Sequence, residues 1–390
     1  MKKRLQKILS YFLCLLLVFN IAGCWNRREL NTLAIVLGLG MDKAPEPNKI
    51  KLTAQVVIPS ALKSSAKADT GGTKAFWNIT NSGDTLFNTL RDFTHESNRK
   101  LYFPHIQVII FGHDLAAKGV QEQMDFFARD HETRLNTWIL VSETTAKEAL
   151  DNVPELDKIP SSNIFKLVEA QKATSQSVEV NLEQFLARLM SQTTAPIAPL
   201  IKIKEEDKEK SVLVEGTGVF KKDKLVGELN KTETRGLLWV MDKVKSGIID
   251  VNRPDDDSKA SLEILRSKTK VKPEIIDDQI VMKIDVKGEG TIGSQYTPEE
   301  LVSPDKVKAL ESEASDAIKS EIMAALKKAR ELNADVFGFG DFVHQHYRDE
   351  WKELEGNWDE IFPTVEVEIT AEFKLRRSGR ISRPPVPAKE

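Results

Sequence analysis

The sequence predicts an α+β fold of several domains, in which mixed β-sheets are each packed with helices. Three observations predict it. The first half alternates strand-like and helix-like segments, which requires a sheet covered by helices with some parallel pairing. The second half reads strand, strand, helix, and ends on one long amphipathic helix followed by an alternating strand. Between the halves, KIKEEDKEK (202–210) sets a run of charge between two apolar blocks. That run reads as a solvated linker. It divides the chain into an N-terminal α/β region, 24–201, with room for two subdomains, and a C-terminal α+β domain, 211–380.

Lys2, Lys3, Arg4 and Lys7 form a basic head, and 8–21 is an almost unbroken apolar run of about fourteen residues. A membrane-spanning helix needs ~20. A basic head, a short apolar run and small exit residues are the pattern of a secretory signal peptide, so 1–23 is read as removed. The exit, Ile21-Ala22-Gly23-Cys24, resembles the bacterial lipobox. There the cysteine thiol takes a diacylglyceryl group, the chain is cut between Gly23 and Cys24, and the new amino terminus is acylated. A thiol suits that chemistry because it ionises near neutral pH far more readily than a hydroxyl. Two or three acyl chains hold a protein stably where one is marginal.

The other cysteine, Cys14, lies in the discarded segment, so the mature chain of 367 residues has no disulfide. A chain of that size buries enough surface for a core without one. Loss of 1–23 lowers Lys plus Arg from 56 to 52 against 59 acids, a net charge of −7. An acidic body with no basic, aromatic-interleaved stripe excludes nucleic acid as a partner. Arg27 and Arg28 beside the anchor suit anionic lipid.

Leu33 to Leu39 is nearly all apolar and predicts a buried central strand. Ile50, Leu52, Ala54, Val56 and Ile58 alternate with polar residues and predict a half-exposed one, joined to the first through the turn Pro45 to Asn48. SALKSSAKADTGGTK, 60–74, lacks periodicity and predicts a flexible loop. Phe76 to Thr80 is a short strand. Ser82 or Asp84 caps a helix carrying Leu86, Leu90 and Phe93. LYFPHIQVIIFG is a strand, DLAAKGVQEQMDFFARD a helix and TWILVS a buried strand. Ser161 to Ala173 and Asn181 to Met190 are amphipathic helices, the second capped by Asn181.

Beyond the charged run, VLVEGTGVF and KLVGEL are strands and TRGLLWVMDKV a helix. Strands follow at Leu262 to Val271 and Ile280 to Val286. A long helix starts at Ser303 with Pro304 in its first turn and buries Val307, Leu310, Ala314, Ile318, Ile322, Leu326 and Ala329. Val365, Val367, Ile369, Ala371 and Phe373 alternate in a last strand, and the proline-rich tail 381–390 is read as disordered.

No catalytic, metal or cofactor site is assembled from these residues. His95, His105, His113, His131, His344 and His346 form no HExxH arrangement, and the His344-x-His346 pair, which an extended segment would place on one side, lacks a third ligand. Ser60-Ala61-Leu62-Lys63 matches SxxK without a following KTG box. Asp255-Asp256-Asp257 lacks the spaced oxygens of a calcium loop. Gly216-x-Gly218 lies between strands, not between strand and helix. Gly338 and Gly340 mark a turn after the long helix. Phe337, Phe339, Trp351 and Trp358 are read as core or interdomain contacts.

Four stretches carry a family resemblance: CWNRREL after the lipobox, SGDTLFNTLRDFTHESNRKLYFPHIQVIIFGHDLAAKG, GTGVFKKDKLVGELNKTETRGLLWV and ADVFGFGDFVHQHYRDEW. In this order they resemble the Ger(x)C family, the lipoprotein C subunits of spore germinant receptors of endospore-forming bacteria. Asn26 departs from the aspartate often found there. The resemblance implies a non-catalytic protein tethered to the outer face of the spore inner membrane. It implies two polytopic partners, an A subunit with large soluble portions and a B subunit similar to amino-acid transporters. It also implies three α+β domains, each with a sheet and packed helices, and leaves direct binding of a small molecule open. The other function class sharing this anchor is a solute-binding lipoprotein that hands a nutrient to a transporter, which predicts a deep interdomain cleft.

Overall fold

The computed structural model describes residues 2–21, 32–62, 74–207, 209–252, 259–277, 279–295, 301 and 303–377. Gly23, Cys24, most of the 60–74 loop, Asp255 to Asp257 and the 381–390 tail lie outside them. A helix α1 (Lys2–Ile21) covers the leader. Among the described residues no helix is long and apolar enough to cross a membrane.

The N-terminal sheet begins with β1 (Leu33–Lys43), β2 (Ile50–Val57) and β3 (Phe76–Gly83), all antiparallel, with short helix α2 (Pro59–Leu62) after β2. The expected turn joins β1 to β2, with Asn48 at φ 60°. The apolar segment read as one strand is two, β4 (Lys100–Tyr102) and β5 (Val108–Gly112), and both pair parallel with β1. Pro104 stands at the break, where a proline cannot donate to a ladder. β6 (Trp138–Ser142) and β7 (Ile197–Glu206) continue the parallel series. β8 (Glu209–Lys221) and β9 (Lys224–Leu229) close the sheet antiparallel. The strand order is β3-β2-β1-β5-β6-β7-β8-β9, with β4 on β1.

The charged run is therefore no linker. Lys202 to Lys210 forms the far end of the β7–β8 hairpin, with Lys204 opposite Ser211 and Glu205 opposite Lys210. Its turn opens on Asp207 at φ 49°, as two-residue hairpins require. The strand ends are solvated on both faces, so their alternation carries no apolar signal. The resemblance implied a sheet per domain, three in all, whereas the described strands make two. The β6–β7 ladder, Val141 with Leu200 and Ser142 with Ile201, joins edge to edge what would otherwise be separate sheets.

Helices α3 (Leu86–Asp92), α4 (His113–Lys118), α5 (Gln121–Arg129) and α8 (Leu182–Leu189) contribute to the core on one side of this sheet, α6 (Ala146–Asp151) and α7 (Pro160–Ala170) to the core on the other. Thr85, rather than Ser82 or Asp84, caps α3, because β3 runs on through Gly83. The single helix expected over 114–130 breaks into α4 and α5 at Gly119, whose φ of 130° favours glycine. Asn181 caps α8 with a full capping box. The polar face of β2 is buried and not half-exposed: Gln55 donates to Asn78 Oδ1 and Leu150 O and accepts from Ser161 N, so α6 and α7 satisfy it.

The second sheet holds β10 (Ile248–Asn252), which the sequence reading missed, with β11 (Lys259–Ile276), β12 (Gln279–Gln295) and β13 (Glu366–Arg377). β13 lies parallel to β12, and the crossover carries α10 (Pro304–Glu331), α11 (Phe339–His346), α12 (Arg348–Leu354) and α13 (Trp358–Ile361). The predicted stripe of α10 is buried from Leu310 to Ala329, with Val307 half-buried at its fraying start. α9 (Lys231–Val240) packs on α10, and one apolar core runs continuously from the first sheet to the second.

Candidate functional site

The best-defined polar site is the buried junction where the segment after α10 meets the segment between α8 and β7. Asp335 is 3% exposed. Its Oδ1 accepts from the backbone N–H of Gly338 (2.8 Å) and Phe339 (3.0 Å). Its Oδ2 accepts from Gly340 N–H (2.9 Å) and Trp358 Nε1 (3.2 Å). The carboxylate thus satisfies the orphan donors that open α11. Burial pushes its pKa up to about 6, and these donors pull the other way.

Two glycines make the approach possible. Gly338 has φ 76°, and a Cβ on Gly340 would stand 2.6 Å from Thr193 Cβ. The neighbouring strand segment can therefore dock: Ala195 N–H donates to Asp335 O (2.9 Å), and Asp341 accepts from Thr193 Oγ1 (3.2 Å) and Thr194 Oγ1 (2.6 Å). Arg188 on α8 donates from one nitrogen, Nη1, to Ala195 O (2.8 Å) and Val336 O (3.0 Å), binding the two halves together. Burial lowers its pKa to about 10, while Asp335 and Asp341 favour its charge, so it is a cation at neutral pH.

Phe337, Phe339, Trp351 and Trp358 are all buried, with Phe337 stacked on Phe339 at 4.9 Å and Trp351 against Trp358 at 5.3 Å. They are core residues, as one of the two expected roles had it, and their ring contacts lie among themselves, His344 and Phe362. A second junction links α9 to α10. Glu321 accepts from Arg235 Nε (2.9 Å) and Trp239 Nε1 (2.9 Å), and Arg235 Nη2 also reaches Glu321 Oε1. Sequence reading missed both charge clusters. The D-x-x-G-x-G-D spacing of 335–341 was the available signal for the first.

His344 and His346 lie on helix α11, two residues apart, so they do not share a side; His344 stacks on Trp351 at 5.6 Å. His105 meets the Tyr102 ring, and His113 opens α4 beside Asp114. His95 ends a 3-10 turn after α3. His131 lies in the α5–β6 loop. Among the described residues no group of His, Cys, Asp and Glu is arranged to hold a metal ion. Ser60 lies in short helix α2, contrary to the loop expected there, and Lys63 falls outside the described residues. Gly216 and Gly218 sit inside β8; Gly216, at φ 81°, donates to Gln176 O and its carbonyl accepts from Ser177 Oγ.

Two family models match in tandem: "Spore germination protein N-terminal domain" over 26–203 and "Spore germination B3/ GerAC like, C-terminal" over 215–379. Spore germination protein KC of Bacillus subtilis is 27% identical, over 97% of this chain and 98% of its own. Spore germination proteins B3 and A3 of the same organism are 25% and 26% identical, over 94% and 96% of this chain and 97% and 98% of their own. A crystal structure of the GerBC protein superposes with a TM-score of 0.58 at 21% identity, covering 87% of this chain and 97% of that one, and shows the same fold.

Proposed function

Because this chain belongs to the Ger(x)C family of spore germination proteins, we propose that it is the non-catalytic C subunit of a spore nutrient germinant receptor, held on the outer face of the spore inner membrane by lipid on Cys24. In this reading it scaffolds or couples the receptor, docking on the soluble portion of the A subunit beside the B subunit. The observation that supports it is the tandem, in-order match of both family models, 26–203 and 215–379, in a chain that aligns end to end with named germination proteins.

The site geometry supports a scaffold over a catalyst. Its buried charges are consumed in hydrogen bonds: Arg188 ties the two halves together, Asp335 holds the start of α11, and Glu321 joins α9 to α10. The seam at Thr194 and Asp335 is packed with backbone bridges and aromatic rings, which argues against the open interdomain cleft of a solute-binding lipoprotein. Amino acids and sugars should accordingly leave the melting temperature unshifted. The anchor is tested by Cys24→Ala, which should abolish lipid labelling and release the chain from the membrane fraction. A variant that still fractionates with the membrane refutes the anchor.

A further inference from the structure

The end of the N-terminal sheet nearest the tether carries an apolar rim. β1, β5 and β6 start from this end, and Leu33, the first residue of β1, pairs there with Lys100 of β4. Cys24 precedes Leu33 by nine residues, so a lipid on it holds this end within about 30 Å of the bilayer at ~3.3–3.6 Å per residue.

Three leucines from separate segments are exposed at this end. Leu62, 41% exposed, closes α2 below β2; Leu135, 51%, precedes β6; Leu156, 96%, lies in the loop leading to α7. Leu62 and Leu156 flank a shallow groove of about 460 Å³ whose floor includes Ile159, Phe165 and Gln107, the residue before β5. Lys158 reaches Leu62 O (3.0 Å) at its edge, and Lys100 stands beside Glu132 (3.6 Å). Long basic side chains around exposed leucines can lay their stems on the apolar surface and keep the ammonium in the headgroups. Charge is mixed at both ends: Asp157 and Glu169 line the groove beside Lys158 and Lys166, and the sequence of the β7–β8 hairpin at the opposite end, 202–210, holds four lysines against four acids. Charge therefore does not choose between the ends; the nine-residue tether and the exposed leucines make the rim the end that faces the bilayer.

We propose that this rim, centred on Leu62, Leu135 and Leu156, docks on the bilayer interface, so that the body stands upright with the β7–β8 hairpin pointing away from the lipid. The occupant is the lipid surface itself. Partial insertion of three leucines adds to the acyl anchor and fixes orientation, which a flexible tether alone cannot do. The proposal rests on membrane tethering at Cys24, and the two are read separately.

The test places a benzophenone amino acid in place of Leu156 or, as the control, Glu206 in the full chain expressed in a lipidating Gram-positive host, and irradiates intact membranes. A phospholipid adduct several-fold stronger at 156 than at 206 is expected, reduced by Leu135→Glu. Equal or absent adducts at both positions overturn the docking. Fractionation of Cys24→Ala reports on the anchor independently, since adducts are read on the chain whose Cys24 is intact.

Discussion

Replacing Asp335 with asparagine tests the buried junction. One carboxylate oxygen serves Gly338 and Phe339 and the other serves Gly340 and Trp358. An amide keeps one acceptor and turns a donor toward the other pair, at a cost of ~1–3 kcal/mol for each of two orphaned donors. Against this stands the strain of holding the wild-type charge. A pKa raised from 3.8 to about 6 by burial corresponds to about 3 kcal/mol. The native state holds this proton more tightly than the unfolded chain does. Its contribution to stability is therefore full below pH 3.8 and is lost as pH rises through about 6. Because the amide does not titrate, wild type should lose about 3 kcal/mol of stability relative to Asp335→Asn from acid to neutral pH. Urea unfolding of both proteins between these limits measures it. Parallel stability curves would refute the burial and hydrogen bonding assigned to this carboxylate.

Two further substitutions probe the second junction. A Cβ at Gly236 would stand 2.0 Å from Glu321 O, so Gly236→Ala must push α9 off α10. A loss of about 3 kcal/mol is expected in thermal or urea unfolding, and an unchanged midpoint would contradict the packing. Glu321→Ala leaves Arg235 and the Trp239 indole without their buried acceptor. Removing one partner of such a pair costs ~3–5 kcal/mol, and a loss below 1 kcal/mol would show that solvent replaces the carboxylate.

Local chemistry was legible wherever one side of an element faces the core. The stripe of α10, the alternation of β13, the hairpin at Asn48 and the Asn181 cap all follow from residues within a turn or a strand of one another. What escaped depends on distant partners. Gln55 looks solvent-facing in its own strand and is buried only because Leu150 and Ser161 come to it. Arg188 acquires its role from Val336, 148 residues further along the chain, and Asp335, though its carboxylate serves the nearby Gly338 to Gly340, is buried only because the segment at Thr194 and Ala195 docks on it. The hairpin at 202–210 was misread because it projects past the body and keeps charge on both faces.

The central claim is that this chain works as a subunit of a membrane receptor complex. Tagged chain isolated with mild detergent from spore inner membranes, with crosslinking, tests it most directly. The account predicts that two polytopic membrane proteins co-purify in constant ratio, one with large soluble portions and one resembling amino-acid transporters. Recovery of the lipidated chain alone, from spores in which both polytopic proteins are present, would contradict it.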